Sequence, residues 1–449
     1  MKRIALLSVA LISLACAATA ATRPRYGGTL RVEMQSAPAA LALPPLNAPT
    51  DYWDMARVLS LVGDNLVGID AQDRPRPALA LAWEHDSAAR HWQFTLRQAA
   101  KFHDGSAASP SAIAQILGGL HADWSVRASG DSLIIDTAAP FPSLLAELAL
   151  PRNLIVTRNA NGTPIGTGPF RVVDFQPGKS LKLAADEDCW ASRPFLDAIE
   201  IEFGKPLRDQ ATALELGRAD VVETAPQVAS GQQIRASSSL PIELMALVVT
   251  PNSKAQDIHL RQALALAIDR KPIHSALLKG AGEPSAALLP NWMTGYGAAF
   301  STQVNLQRAR ALLAQSRQPP LTLSYDARDP QAQLIAERIA LNAREAGIVV
   351  QVSLSGSDDL RLVRIAIPSP DPALALSEIA RQLSLQPPVL RGNAVEDLYQ
   401  AEPALLDGAS AIPLFHLPVA SAVSARVHGW APTQLGAWKP ADVWLEDAR

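Results

Sequence analysis

The stretch Pro75–Gly105, PRPALALAWEHDSAARHWQFTLRQAAKFHDG, is the most informative segment of this 449-residue chain. It opens on a proline-rich turn and closes on Lys101-Phe102-His103-Asp104-Gly105. Between them Trp92-Gln93-Phe94-Thr95-Leu96-Arg97 alternates apolar and polar side chains, which predicts a half-buried strand. Asp104-Gly105 supplies the backbone a hairpin turn requires, so His103 and Asp104 read as turn residues and not as a catalytic pair. Trp83 and Trp92 read as core anchors, the usual use of a large aromatic ring.

Upstream, Gly27-Gly28 leads into an alternating strand from Thr29 to Met34. Residues 51–66 place Met55, Val58, Leu59 and Val62 on one helical face. Downstream, Ser109 and Pro110 start a helix that runs to Leu120. Gly166-Thr167-Gly168-Pro169-Phe170 reads as a turn into a strand, Gln176–Lys179 as a hairpin turn, and Ser180–Ala184 as the returning strand. Ile199–Phe203 is a further strand, Gln210–Gly217 a helix, and the apolar run Ile242–Thr250 a buried strand. After Pro251 the pattern turns helical. Ile258–Ile268 is amphipathic, and Asp269 caps the next helix with Pro272 in its first turn. Leu321–Tyr325, Asp329–Ala346 and Ile348–Leu354 form a strand–helix–strand unit, with Gly347 at the helix end and a right-handed crossover. Ile412–Val419 returns to strand. This order, sheet-rich then α/β then sheet-rich, suits two lobes joined by more than one crossing.

The first twenty residues read as a signal peptide. Lys2 and Arg3 precede an apolar stretch, Ile4–Ala15, and Ala18-Thr19-Ala20 has the small-x-small pattern of a cleavage site. The apolar stretch is shorter than the roughly 20 residues a membrane-spanning helix needs. A rival reading acylates Cys16 as a lipoprotein, with Ser13 where such sites usually carry Leu. Loss of Lys2 and Arg3 takes the net charge from −3 to −5. A mildly acidic chain argues against nucleic-acid partners and anionic membranes. After cleavage Cys189 is the remaining cysteine, so no intramolecular disulfide is expected and a large core must carry stability.

Catalytic and metal patterns fail on inspection. Gly178-Lys179-Ser180 ends like a phosphate loop, but the glycine needed five residues earlier is Val173. No Gly-x-Ser-x-Gly or His-Glu-x-x-His motif occurs. Asp186-Glu187-Asp188 reads as a solvated turn. The chain is therefore read as no enzyme, with no cofactor and no metal site.

Taken in order, several elements resemble those of the extracellular solute-binding proteins of family 5, the peptide/nickel class that feeds ABC importers. They are Leu79–Glu84, Phe94–Arg97 with Lys101–Gly105, Gly166–Phe170, Cys189-Trp190 with Arg193–Asp197, Leu214–Asp220, Arg261–Leu264 with Ala267–Arg270, Asn305-Leu306 with Ala309–Ala314, and Leu398–Gln400 with Ile412–Leu414. The resemblance implies an α/β, two-lobed periplasmic binding protein fold (type II, large peptide-binding class) with a hinge and an interlobe cleft. Lobe one would comprise 21–248 plus 415–449, including a subdomain near 50–165, and lobe two 249–414. The implied function is a periplasmic, monomeric substrate-binding component that captures a peptide or related small solute by hinge closure and delivers it to an ABC permease. The alternatives are a sensor or chaperone-like protein on the same fold, or a metal-chelate or haem binder. Candidate ligand contacts are Trp53, Trp292 and Tyr296 in the aromatic loop Asn291–Gly297, Asp371, and His416. The resemblance also places the family's acidic ammonium-binding position on Pro368, which leaves Asp358, Asp359 or Asp371 as substitutes.

Overall fold

Two strands, Ile234–Val249 and Ala411–Ser424, form the spine of the molecule. The computed structural model describes residues 23–70, 74–224, 234–329, 331–354, 358–390 and 394–446. The two strands pair antiparallel, with register shifts between Ser238 and Pro241, Pro241 and Glu243, and Met245 and Ala246. Pro241 faces Pro418 within this ribbon. Proline cannot donate to a ladder, so the hydrogen bonding is interrupted where the two prolines meet.

The ribbon lies in the middle of a mixed sheet. Outward from Ala411–Ser424 come Val221–Thr224, Thr29–Glu33, Ala198–Glu202, Ser180–Ala185 and Phe170–Gln176. Outward from Ile234–Val249 come Leu360–Ala366, Leu321–Ser324 and Val350–Ser353. Each wing has its own core. One gathers Leu30, Val58, Leu183, Ile199 and Val423. The other gathers Leu247, Leu264, Ile335, Ile339, Leu360 and Leu414. A third core belongs to a separate four-stranded sheet, Ala80–His85, His91–Leu96, Ser132–Thr137 and Trp124–Ser129, packed on the helix Pro110–Leu120.

The opening stretch folds much as its pattern predicts. Trp92 and Phe94 are buried on the strand His91–Leu96, and Trp83 packs partly buried beside them. Gly105 turns at φ 83° while the Ser106 amide donates to Asp104 Oδ1 at 2.9 Å. His103 Nε2 lies 2.9 Å from the Gly168 carbonyl, a structural contact. Ser109 caps its helix by accepting from the Ala112 amide at 3.3 Å. The Gly166–Phe170 turn needs its glycines for close approach. A Cβ on Gly166 would lie 2.1 Å from the Val62 carbonyl oxygen, and one on Gly168 would lie 2.7 Å from that of Leu61.

Leu321–Ser324 and Val350–Ser353 pair in parallel around the helix Ala332–Ala346, which ends at Gly347 with φ 106°. Asp269 accepts from the Lys271 amide at 3.1 Å, as its capping role requires. One element is longer than its pattern. The strand expected over 242–250 begins at Ile234 and includes Ser237-Ser238-Ser239. Serines there carry no apolar alternation. Pairing with residues 420–424 and a 3.1 Å contact between the Ser237 and Ser421 hydroxyls hold the segment extended.

Candidate functional site

A cleft of about 2050 Å³ opens between the two wings of the sheet. It exceeds the 300–1,000 Å³ usual for a drug-sized ligand. Three elements supply one wall: the end of the first strand with Gln35 and Ser36, the helix Pro49–Val62 with Trp53 and Arg57, and the strand Val221–Thr224 with Glu223. The spine, the loop after Leu321–Ser324 and the strand Leu360–Ala366 supply the other, with Glu243, with Asp326, Arg328 and Asp329, and with Arg364.

In the first wall Arg57 is buried on the helix Pro49–Val62. Its Nε donates to the Gly436 carbonyl at 3.1 Å, its Nη1 lies 3.4 Å from Asp54, and its guanidinium sits 5.6 Å from the centre of the Trp438 ring. Asp54 is fully buried. Burial first, and then the Glu223 carboxylate, hold its acid well above the usual carboxylate range. The Gln35 amide donates to Glu223 at 2.5 Å and the Ser36 amide to Asp54 at 3.3 Å. Asp54 and Glu223 thus sit side by side, and two neighbouring carboxyl groups favour keeping a proton on the buried one.

In the second wall Arg364 bridges Glu243 and Asp329, with 3.0 Å to Asp329. Glu243 is buried on the spine, and burial raises its acid although Arg364 opposes the shift. At the rim Arg328 joins the walls, donating to Asp51 at 2.6 Å and to Asp326 at 2.9 Å. Asp358 also lines the cleft, paired with Arg361 at 2.9 Å; the Arg361 hydrogen bond holds its acid below the usual range.

Of the expected contacts, Trp53 is on the cleft wall, packed edge-on against Tyr52 with ring centres 5.3 Å apart. The other four belong to packing behind it. Trp292 donates its indole N–H to the Pro241 carbonyl at 2.8 Å. The Tyr296 hydroxyl donates to Glu402 at 2.8 Å. Asp371 caps the helix Pro372–Gln382 through the Leu374 amide at 2.9 Å and accepts from the Ser143 hydroxyl at 3.0 Å. His416 is fully buried, with Nε2 3.0 Å from the Leu288 carbonyl. Pro368 is buried too, and Asp359 accepts from the Lys254 and Thr322 amides at 2.7 and 2.9 Å. The sequence reading missed Arg57, Glu243 and Arg364. A usable signal was present for Glu243, a lone charge inside the apolar run Ile242–Val249, and a buried charge is rarely idle.

Among the described residues no group of three or more His, Cys, Asp and Glu side chains is placed to hold a metal ion. Among them, too, no helix is long and apolar enough to cross a membrane.

Residues 126–367, just over half of the chain, match the family described as bacterial extracellular solute-binding proteins, family 5 Middle. The chain is 26% identical over 251 residues to the nickel-binding protein NikA of Staphylococcus aureus, covering 53% of this chain and 50% of that one. To the nickel-binding periplasmic protein of Escherichia coli it is 25% identical over 366 residues, covering 70% and 69%. The chain therefore spans half the length of the first of these relatives. The structure is similar to the dipeptide binding protein of Pseudoalteromonas sp. SM9913 in complex with Met-Leu, with TM-score 0.79 and 17% identity, covering 93% of this chain and 100% of that one. At such identity the likeness speaks to fold: α/β and two-lobed, with a hinge and a cleft between the lobes.

Proposed function

Since this chain belongs to the bacterial extracellular solute-binding proteins of family 5, we propose that it is the periplasmic binding component of an ABC importer. It captures one small solute, a peptide or related molecule, in the cleft and presents it to a membrane permease without altering it. The observation that carries this reading is the cleft itself, large, lined from both wings and spanned, among the described residues, by two continuous strands. Those strands are suited to hinge motion because their ladder is interrupted at Ser238–Pro241 and opposite Pro418. We place the lobe division at those interruptions, ahead of the 248/249 boundary expected from the sequence and just past the expected 414/415 boundary. A solute that contacts both walls favours the closed form only through its differential affinity for it.

Asp371 is occupied by its own helix and by Ser143, so Asp358 is the expected substitute for Pro368 that lines the cleft. The test is to purify the protein from its native periplasm, denature it, and identify any released solute by mass spectrometry. One stoichiometric small molecule is expected. Turnover of that molecule, or only protein clients, would refute the reading.

A further inference from the structure

Helix Pro372–Gln382 packs on the second wing of the sheet through Ala375, Leu376 and Ile379. The segment 143–153 belongs to the separate four-stranded unit, through Leu144 and Leu148. The two meet on polar groups. Arg152 Nη1 donates to Glu378 Oε1 at 2.9 Å, and the Ser143 hydroxyl donates to Asp371 at 3.0 Å. Both carboxylates beside Arg152 are almost fully buried, Glu147 at 3% and Glu378 at 4% side-chain exposure.

Each side also carries its own neutralising partner. Arg152 pairs with Glu147 in its own segment, supported by the Asn153 amide at 2.9 Å from Glu147 Oε1. Arg381 pairs with Glu378 one helical turn away. When the surfaces part, each buried carboxylate leaves with a guanidinium and regains water. When they meet, Arg152 serves both carboxylates. A contact made this way releases without stranding a charge, so it avoids the penalty that breaking a buried ion pair normally carries. Apolar groups lie along the same seam: Leu46, Tyr52 and Trp53 share a cluster with Leu244, Ile365 and Leu376.

Resting on the binding-protein reading above, we propose that Arg152–Glu378 and Ser143–Asp371 form a reversible interlobe clasp that favours the closed form independently of the solute. These contacts run directly between protein groups, so their strength does not depend on what the cleft holds. A pre-closed population raises apparent affinity and slows exchange.

The experiment is small-angle scattering on protein stripped of solute by unfolding and refolding. Glu378→Gln is the lead variant, because it keeps side-chain size and leaves the Arg152–Glu147 pair intact. Ser143→Ala is the second, should the first fail to refold by circular dichroism. Stripped wild type is expected to stay compact. Both variants are expected to expand, by about 1 Å in radius of gyration on hinge opening, from a value of about 22 Å for a compact chain of this length. Stripped wild type already as expanded as the variants, or variants as compact as wild type, would overturn the clasp. The mass-spectrometric search for a bound solute fails or succeeds separately, so the two ideas are distinguishable.

Discussion

From Ile234 to Ser238 the spine is rich in serine and alanine and no residue is fully buried, whereas from Ile242 to Leu247 every residue is buried. The partner strand follows suit: Ala411–Leu417 is buried throughout, and 420–424 only in part. The two ends belong to the same pair of strands, yet they are held by different forces. The first end relies on ladder bonds and hydroxyl contacts that water can replace. The second is sealed, so its two polar residues, Glu243 and His416, need partners from other elements. Arg364 supplies one and the Leu288 carbonyl the other. The spine thus joins a pliable end to a sealed one.

The largest test of this contrast is Arg364→Ala. It strands Glu243 in the sealed end, and the expected loss is about 3–5 kcal/mol in urea unfolding. A loss under about 1 kcal/mol, the scale of an exposed pair, would erase the difference between the ends.

The second test uses pH. Burial raises the Glu402 acid to about 7, and burial lowers His416 to about 4. Both touch Leu288: its amide donates to Glu402 at 2.8 Å, and its carbonyl meets His416. Glu402 also accepts from the Tyr296 hydroxyl, and Glu283 is 3.7 Å from His416 Nδ1. A raised acid binds its proton more tightly in the folded chain, so its contribution is lost as pH climbs from the ordinary 4.5 towards 7. A depressed imidazole works in reverse, and its contribution is lost as pH falls from 6.5 towards 4. In their shared window the two slopes oppose, so the contributions of these two groups nearly cancel. Glu402→Gln removes one of them, so across that window the stability of the variant should climb relative to wild type by on the order of 2–3 kcal/mol. A variant profile parallel to that of wild type would show that the sealed end does not enforce the Glu402 protonation state.

Trp292→Phe removes the indole bond to the Pro241 carbonyl, where the two ends meet, at a cost of about 1 kcal/mol in urea unfolding. The smallest effect is expected at Ser237→Ala in the pliable end, within about 0.5 kcal/mol. If that change cost as much as Trp292→Phe, the pliable end would be more tightly held than its burial suggests.

Much of the scaffold could be read along the chain. The strand at Trp92–Leu96, the Ser109 and Asp269 caps, the Asp104-Gly105 turn and the Gly347 helix end all rest on periodicity or local chemistry within a few residues. The strand Ile234–Ser238 could not be read, because its partner lies about 185 residues away and its own composition favours no strand. The candidate site was less legible still. Trp292, Tyr296 and His416 stand out in the sequence as aromatic or titratable groups, yet these properties serve packing as readily as binding. Whether a ring faces a cleft or a carbonyl is decided by which element lies beside it.

By itself the amino-acid order determined the local pieces: where helices begin and end, and which strand faces are apolar. Only the tertiary structure decided which charges are buried and which remote charges meet, because Glu243 and Arg364 find each other across segments far apart in sequence. Side-chain identity sets what a group can do. Solvent exclusion and distance, which exist only once the chain has closed on itself, set what it does.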